Sequence, residues 1–508
     1  MKLSSSQQIK YGAILSYIGV FVYILIGLLY TPWMIRSIGK EDYGLYTLAY
    51  SILSFFVFDF GISAAIQRFV SKYLAEGKEE EVNKCVSTVY KLYLYIDCFI
   101  LAILLIIFFL IPTIYRELTP DQIIRLKIVF AMVSTFSVIS FPFIPLNGIL
   151  SAYEEFVQLK SCDLFSKVLT VLVNVLCLYY GGGLYEIVLG NIIVGALFIV
   201  VKYVIVKRTT NLSIQLNYKS SRRELKELLL FSGWTTVVAI CQRFIINISP
   251  SILGYFAGAE VIAVFGIALC LEAYTYNCAY AMNGMFLPKV SRLLSQNESV
   301  LPLMIRVGRI QLVILGLIMV GFLIVGKQFI FAWLGDGYEN AYYCTILLIT
   351  PAFFLLPADI ADQTLIASGN VKLRAYAYLI TAVVNIVLSI ILTSLFGIIG
   401  LAASIFISFM IRNAALYYVY YKKLNINVFI FFRDVYLKMS LGLITSLVVS
   451  YILAEFVPFQ GWLDVVVRGA ITILTYAIVM LILALNESER KLFFSILNTS
   501  VKIYRDKS

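Results

Sequence analysis

Long apolar runs separated by short polar stretches repeat along almost the whole chain. A helix of about 20 apolar residues crosses the roughly 30 Å hydrocarbon core of a bilayer. On that criterion the pattern predicts fourteen transmembrane helices, at 11–35, 43–67, 85–111, 123–149, 157–180, 184–206, 227–253, 260–286, 305–326, 340–367, 372–394, 397–420, 434–456 and 463–485. The polar connection at 207–226 divides them into two blocks of six, with a last pair appended. An even number of spans per block makes the two halves parallel copies. The predicted architecture is an all-α polytopic membrane protein: a first lobe over 1–210, a linker over 211–226, a second lobe over 227–425, and a C-terminal helix pair with its tail over 426–508.

Two internal echoes support the duplication. Segment 11–73 has a long apolar limb, Pro32, a turn with Gly39 and Glu41, and a second limb carrying Asp59. Segment 226–290 runs in the same order, through Gly233, Pro250, Gly258 and Glu260 to a limb carrying Glu272. Later, Leu150-Ser151-Ala152-Tyr153 precedes a span with Asn174, and Leu365-Ile366-Ala367-Ser368 precedes one with Asn385.

Composition agrees with a membrane solvent. Of 508 residues, 61% are hydrophobic and 14% charged, and the mean hydropathy is +0.91. Soluble domains are near half apolar and a quarter charged. The apolar run to Trp33 is too long for a signal peptide and lacks a small-x-small cleavage site, so it is expected to stay as the first span. Histidine is absent, which excludes His-based zinc sites, catalytic triads and imidazole proton relays. The eight cysteines are scattered without a close CxxC pair, so no disulfide framework and no cofactor are expected.

The formal charge of +11 is distributed as a topology signal, not as a nucleic-acid surface. Arg68, Lys72, Lys78, Lys84, Lys207, Arg208, Lys219, Arg222, Arg223, Lys226, Lys289, Arg292, Lys372, Arg374, Lys422, Lys423, Arg433 and the tail all fall on one side of the spans. The opposite loops hold little beyond Arg36, Lys40, Arg116 and Lys327. Basic loops stay in the cytoplasm, so both termini are expected there.

Charges inside the spans are the candidate chemistry, because each costs from about 2.5 kcal/mol upward in hydrocarbon and needs a partner or a wet cavity. Arg243 and Glu272 lie at overlapping depths in consecutive spans. They fit either a structural ion pair or a polar cavity for a charged substrate. Asp163 and Lys167 are spaced i,i+4 and are expected to pair. Asp359 and Asp362 flank a span broken by Pro351 and Pro357. Broken helices are tolerated where they line a cavity, so these two carboxylates are candidates for H+ or Na+ coupling, or for structural polar contacts. Asp97 is a further acidic candidate.

Six, six and two spans resemble the multidrug/oligosaccharidyl-lipid/polysaccharide exporter superfamily. Within it the chain resembles the polysaccharide-transporter branch, the O-antigen and capsule flippases. The resemblance rests on the opening hairpin from Tyr30-Thr31-Pro32-Trp33 through Gly39-Lys40-Glu41-Asp42-Tyr43-Gly44-Leu45-Tyr46, and on Asp59-Phe60-Gly61 followed by Arg68. It covers nearly the whole chain and says little about which sugar is carried.

The resemblance implies movement of an undecaprenyl-diphosphate-linked oligosaccharide between leaflets of the bacterial inner membrane, by two lobes that open alternately to each side. It also implies that the first two spans of each half line the cavity, which places Asp59, Arg243, Asn247 and Glu272 there. A diphosphate and glycan cannot cross hydrocarbon without replacement for their lost water, and arginine's fork of donors matches phosphate oxygens. Arg243, Arg68, Lys167 and Arg412 are therefore the basic binding candidates. Arg68 and Arg309 equally suit interface positions where long side chains reach the headgroups. The expected partners are the lipid-linked oligosaccharide and membrane lipids, with a polysaccharide polymerase and a chain-length regulator alongside. Two alternatives remain: a cation-coupled multidrug antiporter of the same fold, and a membrane polymerase or glycosyltransferase. The short outer loops weigh against the enzyme.

Overall fold

The computed structural model describes residues 5–56, 59–210, 212, 222–280, 286–487 and 489–491. Most of the expected linker (213–221) and the tail beyond 491 lie outside the described residues, as do 57–58 in the second expected span and 281–285 in the eighth. Among the described residues every regular element is helical. The all-α polytopic class expected from the apolar runs is the class that forms. Backbone contacts separate two compact units, residues Met1–Cys270 with Val371–Arg412, and residues Leu271–Asn370 with Asn413–Ser508.

The first unit contains α1 (Ser5–Ile38), α2 (Lys40–Ser54), α3 (Ile62–Ala75), α4 (Glu79–Ile114), α5 (Pro120–Ser140), α6 (Pro145–Ala152), α7 (Phe156–Tyr179), α8 (Leu184–Thr209), α9 (Arg222–Ile246), α10 (Ser249–Phe256) and the start of α11 (Ala259–Tyr280). Helix α7 packs along both α1 and α8, α2 lies on α5, and α3 lies on α6. The second unit takes the rest of α11, then α12 (Leu287–Ser295), α13 (Leu301–Leu334), α14 (Glu339–Ile349), α15 (Ala352–Leu355) and α16 (Asp359–Ala367). Helix α17 (Val371–Lys423) begins in the first unit and ends in the second, where α18 (Val428–Phe432), α19 (Lys438–Glu455) and α20 (Gly461–Leu483) follow. Helix α13 is the centre of that unit, packed against α19 and α20.

Twelve stretches among the described residues are long and apolar enough to cross a membrane. Two departures from the expected spans account for the difference from fourteen. The expected spans 372–394 and 397–420 form one helical trace, α17, that reverses at Gly397 (φ 58°, ψ −138°), a backbone state only glycine adopts readily. Its two limbs run antiparallel, and Ser389 Oγ meets Ser404 Oγ at 2.7 Å across them. The second departure corrects the expected span 43–67. It is two short helices, α2 and α3, parted at a break where Phe60 (φ 50°) and Gly61 (φ 69°) are left-handed. Asp59 causes the restart. Its carboxylate accepts the Ser63 amide (3.1 Å) and the Ser63 hydroxyl (2.6 Å), which satisfies groups at the start of a helix that have no internal partner.

Two of the spans share one backbone pattern. The span built from α5 and α6 is interrupted by a 3-10 turn at Phe141–Phe143, and the span from α14 to α16 by one at Leu356–Ala358. Pro142 and Pro357 stand at the same place in the two turns, 215 residues apart. At the same offset both spans end in one cap. The Glu155 amide bonds Leu150 O at 2.9 Å around left-handed Glu154, and the Asn370 amide bonds Leu365 O at 2.9 Å around left-handed Gly369. The Leu-x-Ala echo in the sequence marks this cap.

Candidate functional site

Proline lacks an N–H and opens a carbonyl one turn back, and Pro250 sets the geometry of the seventh span accordingly. Helix α9 ends at Ile246, residues 247–248 form a turn, and α10 restarts at Ser249. Arg243 is half-buried in the last turn of α9, and its carbonyl accepts the Asn247 amide at 2.9 Å. The neighbouring Ile245 carbonyl accepts the Nδ2 of Asn385, a fully buried side chain on α17, at 3.1 Å. The echo residue Asn385 therefore fixes the helix break beside Arg243. Glu272 is buried on α11 (7% exposed) and belongs to the second unit.

The other expected site residues are dispersed. Asp59 carries the cap described above and also accepts the Tyr93 hydroxyl at 3.0 Å, so its carboxylate is held by structural bonds. Arg68 is exposed, 5.9 Å from the Phe69 ring. Arg412 is buried (3% exposed) with its guanidinium over Phe409 (4.2 Å) and Tyr378 (5.1 Å). Asp97 is buried on α4, and its Oδ1 accepts no hydrogen bond from the described residues. Asp359 and Asp362 are both buried at the start of α16, immediately after the 3-10 turn, and Gln363 Nε2 reaches Asp359 Oδ2 at 3.4 Å.

The expected Asp163–Lys167 pair is corrected. Asp163 Oδ1 bonds Lys202 Nζ on α8 at 2.9 Å, and the same ammonium reaches Asn147 Oδ1 at 3.0 Å. Lys167 turns the other way and sits 4.8 Å from the Tyr23 ring on α1. Helix α7 is flanked by α8 on one side and α1 on the other, and each neighbour takes one of the two charges. Arg309 has a structural role as well. Its fork bonds both carboxylate oxygens of Glu489 (2.6 and 2.9 Å) and the carbonyls of Asp434 and Ala484 (2.8 Å each).

Sequence reasoning missed two arrangements. One is a polar cluster inside the first unit. Asn174 Nδ2 donates to Asn191 Oδ1 at 2.9 Å, and Asn191 Nδ2 reaches the hydroxyls of Tyr46 and Tyr50 at 3.3 Å each. Two asparagines 17 residues apart in apolar runs were the available signal. The other is a seal at the end of the first unit away from the basic loops, where helices from the two sequence halves meet. Gly44 on α2 lies so close to α11 that a Cβ there would fall 1.9 Å from the Ala259 carbonyl oxygen. Thr47 lies on Gly266, and Leu48 and Tyr115 lie on Gly254. Tyr115 donates to Ser251 Oγ at 3.3 Å, and Lys40 pairs with Glu260 at 3.3 Å. The first unit thus holds a broken span beside a half-buried arginine and a glycine-lined helix contact, and the second holds, separately, two buried carboxylates on a proline-broken span.

Comparison with known proteins identifies the family behind this arrangement. The family described as polysaccharide biosynthesis protein matches residues 9–306. A Shigella flexneri protein described as an O-antigen transporter is 22% identical over 379 residues, covering 73% of this chain and 88% of that one. The lipid II flippase MurJ in an inward closed conformation superposes with a TM-score of 0.69 at 18% identity, covering 94% of this chain and 98% of that one. An inward-facing multidrug resistance transporter of the MATE family superposes with a TM-score of 0.63 at 15% identity, covering 79% and 96%. At such identities the two structural likenesses concern the fold. The chain belongs to the polysaccharide biosynthesis protein family, and the relatives it resembles are described as transporters and a flippase.

Proposed function

We propose that this protein flips an undecaprenyl-diphosphate-linked oligosaccharide across the bacterial inner membrane by alternating access, for O-antigen, capsule or exopolysaccharide assembly. The seal at Gly44 is the observation that carries the mechanism. Helices of the two halves meet there through bare backbone, one hydroxyl pair and an ion pair whose Glu260 side chain is 60% exposed. Parting such a contact leaves no buried charge without its partner, so the closure can open and re-form at modest cost.

Arg243 supplies the anion-binding group, held at a helix break inside the membrane, where a diphosphate needs a replacement for water. Within the first unit Arg412, Lys167 and Arg68 extend the basic set, with Asn247 as a further polar contact. Asp97, Asp359 and Asp362 are the candidates for coupling to H+ or Na+. Both termini face the cytoplasm, and a polymerase with its chain-length regulator receives the product.

The test is gene deletion with lipid-linked intermediates followed by leaflet-specific labelling. Loss of surface polymer, with precursor still made and retained on the cytoplasmic leaflet, is the expected result. Loss of precursor synthesis would instead assign an enzyme. A second reading, a cation-coupled drug antiporter, is favoured by the buried carboxylates and predicts normal polymer in the deletion strain with increased retention of cationic dyes.

A further inference from the structure

On the side of the second unit away from the basic loops, the end of α13 and the start of α14 enclose a cavity of about 280 Å³. Its floor is the ring of Tyr342, fixed from three directions. The hydroxyl donates to Leu323 O at 3.0 Å, the ring stacks on Phe322 at 5.6 Å, and Gly326 leaves it room, since a Cβ there would lie 3.0 Å from the ring. Lys327 holds its ammonium over that ring at 5.3 Å and over Tyr343 at 5.2 Å. Glu339 lines the same cavity, with one carboxylate oxygen accepting the Gly337 amide at 3.0 Å. The lip is apolar and open, with Phe331 56% and Tyr343 45% exposed. Lys327 sits about 10 Å below the end of its helix, the level at which a lysine reaches the lipid headgroups.

From this geometry we propose that the cavity binds the headgroup of an ethanolamine phospholipid, with its phosphate on Lys327 and its primary ammonium on Glu339. The lining offers one cation and one anion, so it complements a zwitterion. A purely anionic headgroup would meet the Glu339 carboxylate. A primary ammonium brings N–H donors to that carboxylate and a quaternary one brings none, while the two tyrosine faces that would cradle a quaternary group are taken by Lys327. The exposed Phe331 ring gives the acyl chains an apolar path from the headgroup into the bilayer. The site is independent of what the protein transports, because none of these residues belongs to the proposed carrier path.

The test uses the full chain purified in detergent and stripped of lipid. Dioleoyl phosphatidylethanolamine, phosphatidylglycerol and phosphatidylcholine are then added separately, and retained lipid is read by native mass spectrometry. The ethanolamine lipid should be retained best. Glu339→Gln should lower its retention at least about tenfold, the worth of a charged hydrogen bond, without lowering that of phosphatidylglycerol. Lys327→Met should lower retention of all three, and Lys327→Arg should preserve it. If Lys327→Met fails to fold, Glu339→Gln and Lys327→Arg decide. Equal retention of the three lipids by the parent, or an unchanged profile in Glu339→Gln, overturns the proposal. So does displacement of the ethanolamine lipid by a soluble oligosaccharide, which would make the cavity a glycan site.

Discussion

Replacing Gly44 with alanine tests whether the seal moves during transport. The added Cβ would lie 1.9 Å from the Ala259 carbonyl oxygen and 2.8 Å from its carbon, where contacts under 3.0 Å force a shift. Both atoms are backbone, so no side chain can swing away, and α2 and α11 must part by about 1 Å. A gap of that size forfeits a quarter to a half of the dispersion energy along the contact. Overpacking of this kind costs about 1–3 kcal/mol. Charged to the closed form alone, that shifts the closed-to-open ratio by roughly 5- to 150-fold. Gly19 on α1 has nothing within 4 Å and serves as the control. Ser251→Cys, within the seal and present in every chain compared, reports opening through its labelling rate by an impermeant maleimide applied from outside the cell. Gly44→Ala should raise that rate severalfold and lower surface polymer, and Gly19→Ala should change neither. Wild-type labelling and wild-type polymer in Gly44→Ala would show that the contact is a fixed packing feature, and the reasoning would fail.

Three further outcomes are expected. Arg309→Ala takes the cation from Glu489, which keeps only the Asn486 amide among the described residues, and a donor from two carbonyls, and should destabilise the protein by about 3–5 kcal/mol, with Glu489→Gln added to it recovering part of the loss in thermal unfolding. Arg243→Lys keeps the charge and loses the bidentate fork, so surface polymer should fall part-way, whereas Arg243→Gln should abolish it at unchanged membrane abundance. Equal loss in both would point to size or shape at that position. A reporter fused at the C-terminus should read as cytoplasmic and one after Gly182 as external, and a reversed result at either would break the charge-derived topology.

The spans were legible because each needs only a long apolar run, and Pro351 and Pro357 announced their break. Pro142 carries the same information, but no charged residue stands beside it as Asp359 and Asp362 stand beside Pro357, so hydropathy gives no sign of the break there. The gap between α2 and α3 was hidden for a similar reason. Phe55, Phe56 and Phe60 keep the stretch hydrophobic while the left-handed backbone at Phe60 and Gly61 precedes the start of a new helix at Ile62, and hydropathy does not register φ. Local spacing misassigned Asp163, because i,i+4 describes one isolated helix and Lys202 arrives from another. Arg309 finds Glu489 across 180 residues, a relation that no spacing rule contains. The candidate site was legible as a set of costly charges, and its supporting bonds, such as Asn385 to the Ile245 carbonyl, were not.

The matched breaks at Pro142 and Pro357 make the two halves mechanically alike and chemically different. Aligned on those prolines, the positions of Asp359 and Asp362 in the second half are filled in the first by Ile144 and Asn147, neither of which ionises. Asn147 instead accepts the Lys202 ammonium. If a cation or proton drives this transporter through its broken even-numbered spans, it has one half to act on. The other half would follow passively, so the protein would behave as a two-stroke device with a single powered stroke.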